Sequence, residues 1–244
     1  MSSFQSRFLV YTAGLLLAAA QAGAVGTDAG TDISNSASVD YDVSGVDQPD
    51  VTSNTVTFET DRVINLTVAE VGGAYTDVAP GQVEQVLTFT VSNTSNAPLD
   101  FRLDVAQDST GTTEAHGGTD DFDVTPAVFV DSTSGGTAGV YDVGIDTETF
   151  LDEIAEDDTV TVFIVSAIPL GQANGNTSGL TLTAVAAEPG TAATLGADAA
   201  ETGVEAAAVI DTVFGDAAGD TDAAKMRCFR AHSSTVRFGR FTSR

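Results

Sequence analysis

The sequence predicts an antiparallel all-β sandwich of about nine or ten strands, and three observations predict it. Apolar residues recur at every second position in many short stretches. Clusters of Gly, Pro, Asn and Asp separate those stretches at short intervals. The chain of 244 residues is 42% hydrophobic, enough to build a core, yet it has no Trp. Thr, Ser, Ala, Val, Gly and Asp dominate it, a mixture that favours strands and turns.

The elements follow in order. Ala37, Val39, Tyr41 and Val43 alternate with Ser38, Asp40 and Asp42. Val56 and Phe58 continue the rule, then Ile64, Leu66 and Val68, then Leu87, Phe89 and Val91. Further along come Leu99, Phe101, Leu103 and Val105, then Val160, Val162 and Ile164, then Leu180, Leu182 and Ala184. Each reads as a half-buried strand with one face on a core. Between them lie the turns Val71-Gly72-Gly73, Ala79-Pro80-Gly81, Asn93-Thr94-Ser95-Asn96 and Asn174-Gly175-Asn176. The one helical candidate is residues 147–158, where Phe150, Leu151 and Ile154 suggest a single turn. Residues 186–208, rich in Ala, Gly and Thr, read as weak strands and loop.

Charge is distributed unevenly. All 35 acidic residues lie between Asp28 and Asp222, where Arg62 and Arg102 are the only bases, so this span carries 2 − 35 = −33. Such a surface repels a phosphate backbone, which excludes nucleic acid as a partner for it. It also attracts divalent cations and keeps a protein soluble.

The N-terminus has the pattern of an export signal. Arg7 precedes a 13-residue apolar run over residues 8–20, short for a membrane span. Ala20-Gln21-Ala22 and Ala22-Gly23-Ala24 are small-x-small sites, which predicts cleavage after Ala22 or Ala24. No later apolar run reaches spanning length, so no stable transmembrane segment is expected after cleavage. The expected location is periplasm, cell surface or extracellular space. Cys228 is the only cysteine, so an intramolecular disulfide is excluded.

The C-terminus changes character. Residues 225–244 hold six of the nine basic residues, the only Lys and the only Cys, and no acid. Three readings stand: a frameshift near Ala224, a disordered tail, or a basic tail that binds an anionic surface or folds back on the acidic domain. The expected organisation is a signal peptide over 1–24, an N-terminal strand pair over 25–61, a sandwich over 62–215 and a disordered or frameshifted basic tail over 216–244.

Several stretches resemble a known family. Leu87-Thr88-Phe89-Thr90-Val91-Ser92-Asn93-Thr94-Ser95-Asn96-Ala97-Pro98-Leu99-Asp100-Phe101 is similar to the strand–Asn-turn–strand signature of the conserved-repeat, immunoglobulin-like domain of bacterial surface proteins. Ala79-Pro80-Gly81-Gln82 fits the turn before it. Val162-Phe163-Ile164-Val165-Ser166-Ala167-Ile168-Pro169 fits a later strand ending in Ile-Pro, and Ser34 to Val39 with Thr52 to Val56 resemble the N-terminal strand pair. The resemblance covers roughly residues 30–190 and implies an immunoglobulin-like antiparallel β-sandwich acting as a spacer or display module. Its implication for function is weak, because folds host many functions.

In relatives of this kind the stretch after one strand reads Asp-x-Asn-x-Asn-Gly-x-Tyr-Asp, a calcium loop. Calcium takes six to eight oxygen ligands, which alternating Asp and Asn supply. Here Asp131 holds the first position, Thr133 and Gly135 stand where Asn is expected, and Gly136 is the candidate turn glycine. Thr137-Ala138-Gly139 is an insertion before Tyr141-Asp142, with Asp146 and Glu148 beyond. The candidate metal ligands are therefore Asp131, Thr133, Asp142 and Asp146, with calcium as the cofactor at weak extracellular affinity. The competing reading is a plain acidic turn. Two further acidic clusters, Asp120-Asp121-Phe122-Asp123 and Glu153 with Glu156-Asp157-Asp158, contribute only if the fold brings them near.

Catalytic signals are weak. The two histidines, His116 and His232, have no nucleophile elbow, zinc-ligand spacing or phosphate loop around them. The chain is expected to be a non-enzymatic structural or adhesive envelope protein. The alternative is a carbohydrate- or protein-binding module that uses the loops at one end of the sandwich. The expected partner is an envelope or extracellular protein or a glycan.

Overall fold

The computed structural model describes residues 26–203, 209–225 and 229–232. The candidate signal over 1–24 and Cys228 lie outside the described residues. Among the described residues every regular element is a strand. Two four-stranded antiparallel sheets form the body. The first runs, in spatial order, Ala127–Val130, Thr159–Ser166, Gln85–Asn93 and Leu66–Glu70. The second runs Phe150–Ile154, Leu99–Gln107, Leu180–Ala187 and Thr221–Lys225.

The alternation in the sequence places the core between these sheets. Leu87, Phe89 and Val91 on one sheet and Leu99, Phe101 and Leu103 on the other are all buried in one hydrophobic cluster. Val162, Ile164, Leu180 and Leu182 complete its centre. Each fully buried Phe or Leu contributes about 1.5–3 kcal/mol relative to exposure. The fold is an all-β sandwich. Among the described residues eight strands make the two main sheets and eleven others, of two to four residues, flank them, against the nine or ten expected.

The turn Asn93-Thr94-Ser95-Asn96 links the sheets and is wired internally. Asn93 is buried, accepts the Ser95 N–H at 3.0 Å and donates to the carbonyls of Ala97 and Ile154. Asn96 accepts the Val63 N–H at 2.7 Å and donates to the Thr27 and Asp61 carbonyls. Every one of these bonds gives a backbone N–H or C=O group a side-chain partner.

Three expectations need correction. Residues 147–158 form no helical turn; Phe150–Ile154 is a strand paired with Leu99–Gln107. The helix-like spacing of Leu151 and Ile154 comes from a bulge: Leu151 pairs with Phe101 and Ile154 with Leu99, three steps against two. Glu153 absorbs the extra residue with a left-handed φ of 48°, and its N–H donates to buried Asp100 at 2.8 Å. The same Asp100 accepts the N–H groups of Gly190 and Gly196, each at 3.0 Å.

The second correction concerns residues 37–43 and 56–58. They form strands, but those strands lie in a ribbon with exposed side chains rather than on the core.

The third concerns the C-terminus, where a disordered or frameshifted tail over 216–244 was expected beside the alternative of one that folds back on the acidic domain. Thr221–Lys225 is the edge strand beside Leu180–Ala187. Phe229–Ala231 pairs antiparallel with Thr177–Ser178 and parallel with Thr76–Val78. Phe229 and Ala231 are buried and Arg230 between them is not, the period-2 pattern of a strand. Three residues are too few for that pattern to be read without knowing their neighbours. Residues 226–228 and 233–244 lie outside the described residues.

Candidate functional site: an acidic loop and a polar cluster

The acidic loop leaves the strand Ala127–Val130 and runs along the outer face of its sheet. Phe163 on that face is fully buried although it points away from the main core. Tyr141 covers it edge-on at 5.9 Å between ring centroids, and lies 5.4 Å from Phe129. Burial, then the charges of Glu84 and Asp146, push the Tyr141 hydroxyl pKa upward, so it stays neutral. Tyr141 is an aromatic anchor for the loop.

The loop's carboxylates cap its own backbone. Asp146 is buried; one oxygen accepts the Ser132 N–H at 2.9 Å and the other the Asp142 N–H at 2.7 Å. Asp131 accepts the Gly139 N–H at 2.7 Å, and Asp142 accepts the Thr137 N–H. Thr133 is exposed. The left-handed glycines of the loop are Gly135, Gly139 and Gly144 (φ 90°, 77° and 80°), not Gly136. At Gly136 a Cβ would sit 3.0 Å from the Asp142 carboxylate. Asp131, Asp142 and Asp146 thus share one loop, each aimed at a different backbone donor. Among the described residues no three His, Cys, Asp or Glu side chains are grouped to hold a metal ion.

A second assembly lies at the opposite end of the sandwich, where residues 71–84, 108–126 and 167–179 connect the strands. His116 Nε2 is 3.0 Å from Glu70 Oε2. The Tyr75 ring stands edge-on to His116 at 5.8 Å, and its hydroxyl donates to the Gly117 carbonyl. Arg230 places its guanidinium carbon 4.9 Å over the Tyr75 ring and donates to Asp77 at 2.9 Å. His232 Nδ1 is 3.6 Å from the same Asp77 oxygen. Glu70, His116, Tyr75, Arg230, Asp77 and His232 therefore form one continuous polar chain along the loops and the terminal strand.

Beneath it lies Asp120, buried, accepting from the Gly179 N–H at 2.8 Å and from Gln107 Nε2 at 2.9 Å. Burial raises its pKa; the Gly179 bond opposes this, while Asp123, Asp108 and Asp121 add to it. The other acidic cluster, around Glu153, Asp157 and Asp158, serves the turns on the Asn93 side: the Asp157 N–H donates to the Asn93 carbonyl at 2.8 Å.

Sequence reasoning found both histidines but not their partners. Glu70 lies 46 positions before His116, and Asp77 lies 153 before Arg230. No local pattern carries such pairings. The assembly offers an aromatic ring, a cation, carboxylates and imidazoles on one surface, groups suited to hydrogen-bonding a polar ligand.

No protein-family model matches the chain, and no curated protein is similar to it. Among solved structures, one described as "AvmM Catalyzes Macrocyclization in Alchivemycin A Biosynthesis" aligns over 81% of this chain and 98% of its own, at 12% identity and a TM-score of 0.31. That level of likeness assigns neither a family nor an activity.

Proposed function

We propose that this protein is an exported, non-enzymatic structural or adhesive module of the cell envelope, built on an immunoglobulin-like sandwich. The observation that carries the reading is strand order. Set the Phe150–Ile154 strand aside and number the other seven sandwich strands along the chain. The first sheet then reads first, second, fifth, fourth, and the second reads seventh, sixth, third. This is the order of a constant-type immunoglobulin sandwich, with Phe150–Ile154 added on the edge of the third strand. The Arg7-led apolar run and the small-residue sites after it support export. In this reading the acidic loop is a self-capped turn, because its carboxylates already serve its own N–H groups.

Fractionation of cells expressing the full chain tests the reading. The expected result is a shortened chain, cleaved after Ala22 or Ala24, outside the cytoplasm and open to protease added to intact cells. A full-length chain retained in the cytoplasm would sink it.

The polar chain from Glu70 to His232 favours a second reading, a carbohydrate- or protein-binding module working through that end of the sandwich. A glycan array probed with the protein and with Tyr75→Ala distinguishes the two. Binding lost in the variant supports the module; no binding by either leaves the structural role.

A further inference from the structure

Residues 32–59 form a two-stranded ribbon. Asp32–Asn35 pairs with Val56–Glu59, Ser38–Val39 with Val51–Thr52, and Asp42–Val43 with Val46–Asp47. Ser44 and Gly45 close it, both left-handed at φ 55° and 79°, the two-residue turn that matches strand twist.

Opposed residues in a ribbon project to the same side. Ile33 opposes Phe58, Val39 opposes Val51, and Val43 opposes Val46. The pairing slips by one residue twice along the returning strand. The Gln48 N–H meets the Tyr41 carbonyl at 3.1 Å, yet Val51 already pairs with Val39, so Pro49 and Asp50 stand against Asp40 alone. The Ser53 N–H meets the Ala37 carbonyl at 2.7 Å, yet Val56 pairs with Asn35, so Asn54 and Thr55 stand against Ser36. Each slip reverses the alternation. The first brings Val51 to the side of Val46, and the second brings Val56 and Phe58 to the side of Val51.

The outcome is a two-faced ribbon. One face carries the three apolar pairs, Tyr41 opposite Gln48, Val56 opposite Asn35, and Ala37 opposite Ser53; its eight large apolar side chains are 37–62% exposed. The other carries Asp32 opposite Glu59 and Asp42 opposite Asp47, with a Ser34–Thr57 hydroxyl bond of 2.8 Å between them. This is the pattern of a strand pair with one face on a core, but the face stands in water.

At about 90 Å² of exposed surface per side chain, the face measures on the order of 700 Å², beyond the few hundred Å² that soluble monomers leave uncovered. Two such faces would bury roughly 1,400 Å², within the range of a standard specific interface. The face itself is uncharged, whereas the span from Asp28 to Asp222 carries −33, so a second copy meets least repulsion here. Packed face to face, two ribbons turn their carboxylate rows outward into water, at least about 10 Å apart.

We infer that the 32–59 ribbon is a self-association element: the apolar faces of two copies pack together about a two-fold axis and form a small two-layer sandwich. The inference goes beyond the functional reading above and needs neither export nor adhesion to hold.

Sedimentation velocity on the full chain tests it, at micromolar concentrations in physiological and in molar salt. The expected result is a dimer that tightens as salt screens the net charge of −26. Val39→Asp combined with Val51→Asp raises the dissociation constant at least about thirtyfold. Ser38→Asp combined with Thr52→Asp, on the other face, leaves it within about threefold. Melting curves of both variants match the wild type at concentrations dilute enough for all three to be monomeric, since all four positions are exposed. A wild type that stays monomeric overturns the inference. So does a dimer that the Val39 and Val51 aspartates leave intact, or one that both variants weaken equally.

Discussion

Arg230 lies over the ring of Tyr75, its guanidinium carbon 4.9 Å from the centroid, and ties the terminal strand to the loop that precedes Thr76–Val78. The buried neighbour Phe229 does more for stability than this exposed contact. Phe229→Ala is expected to cost about 3–5 kcal/mol. Arg230→Ala costs about 1 kcal/mol, the scale of an exposed cation–π pair. Urea unfolding of both variants checks the ranking; equal losses would contradict it.

The acidic loop yields a second prediction. Because Asp146 accepts two backbone N–H groups while buried, Asp146→Ala leaves both donors unpaired and costs about 2–4 kcal/mol. The melting temperature of the wild type is expected to be the same in millimolar calcium and in chelator. An upward shift in calcium, lost in Asp131→Ala or Asp142→Ala, would mean that the loop holds the ion after all.

Asp120 predicts a pH dependence. Its folded pKa is raised by burial above the unfolded value of about 3.9. The protonated form therefore favours the folded state. The stability this supplies is fully present below the unfolded pKa and is lost as pH rises through the raised folded value. Asp120→Asn keeps an oxygen for Gln107 and Gly179 and cannot ionise. It is expected to stabilise the protein at neutral pH and to flatten the stability profile across that window. Denaturant titrations at a series of pH values decide it; a variant with the wild-type slope would exclude Asp120 as the source.

Glu153 holds a left-handed φ of 48° in the bulge beside Asp100. The left-handed region costs a non-glycine residue about 1–2 kcal/mol, and glycine returns part of that gain as chain entropy. Glu153→Gly is expected to stabilise the fold by about 0.5–1 kcal/mol. A destabilised variant would show that the Glu153 side chain matters more than its backbone.

The core was legible because alternation is a local property. Leu87, Phe89 and Val91, or Leu180, Leu182 and Ala184, each announce a buried face within five residues. Leu151 and Ile154 misled because a bulge and a helical turn give the same spacing, and only the partner strand separates them. The ribbon was legible as strands but not as exposed, since alternation marks an apolar face without saying what covers it. At the acidic loop, the candidate residues Asp131, Asp142 and Asp146 could be named, but the donors they face follow from turn geometry rather than composition. The polar chain from Glu70 to His232 joins segments far apart in the chain and left no local trace.

The position of Phe229–Ala231 sets a timetable for folding. Its parallel partner, Thr76–Val78, enters the chain some 153 residues earlier. At usual synthesis rates that interval is on the order of ten seconds, long compared with the collapse of a small β-domain. Throughout it Val78 lacks the strand that shields it, and the Leu180–Ala187 strand, once made, waits 221 − 187 = 34 residues more for its Thr221–Lys225 neighbour. Thr221–Lys225 and Phe229–Ala231 can thus join their partners only after the strands between have been made. The late strand thus closes over an edge that was laid down long before it.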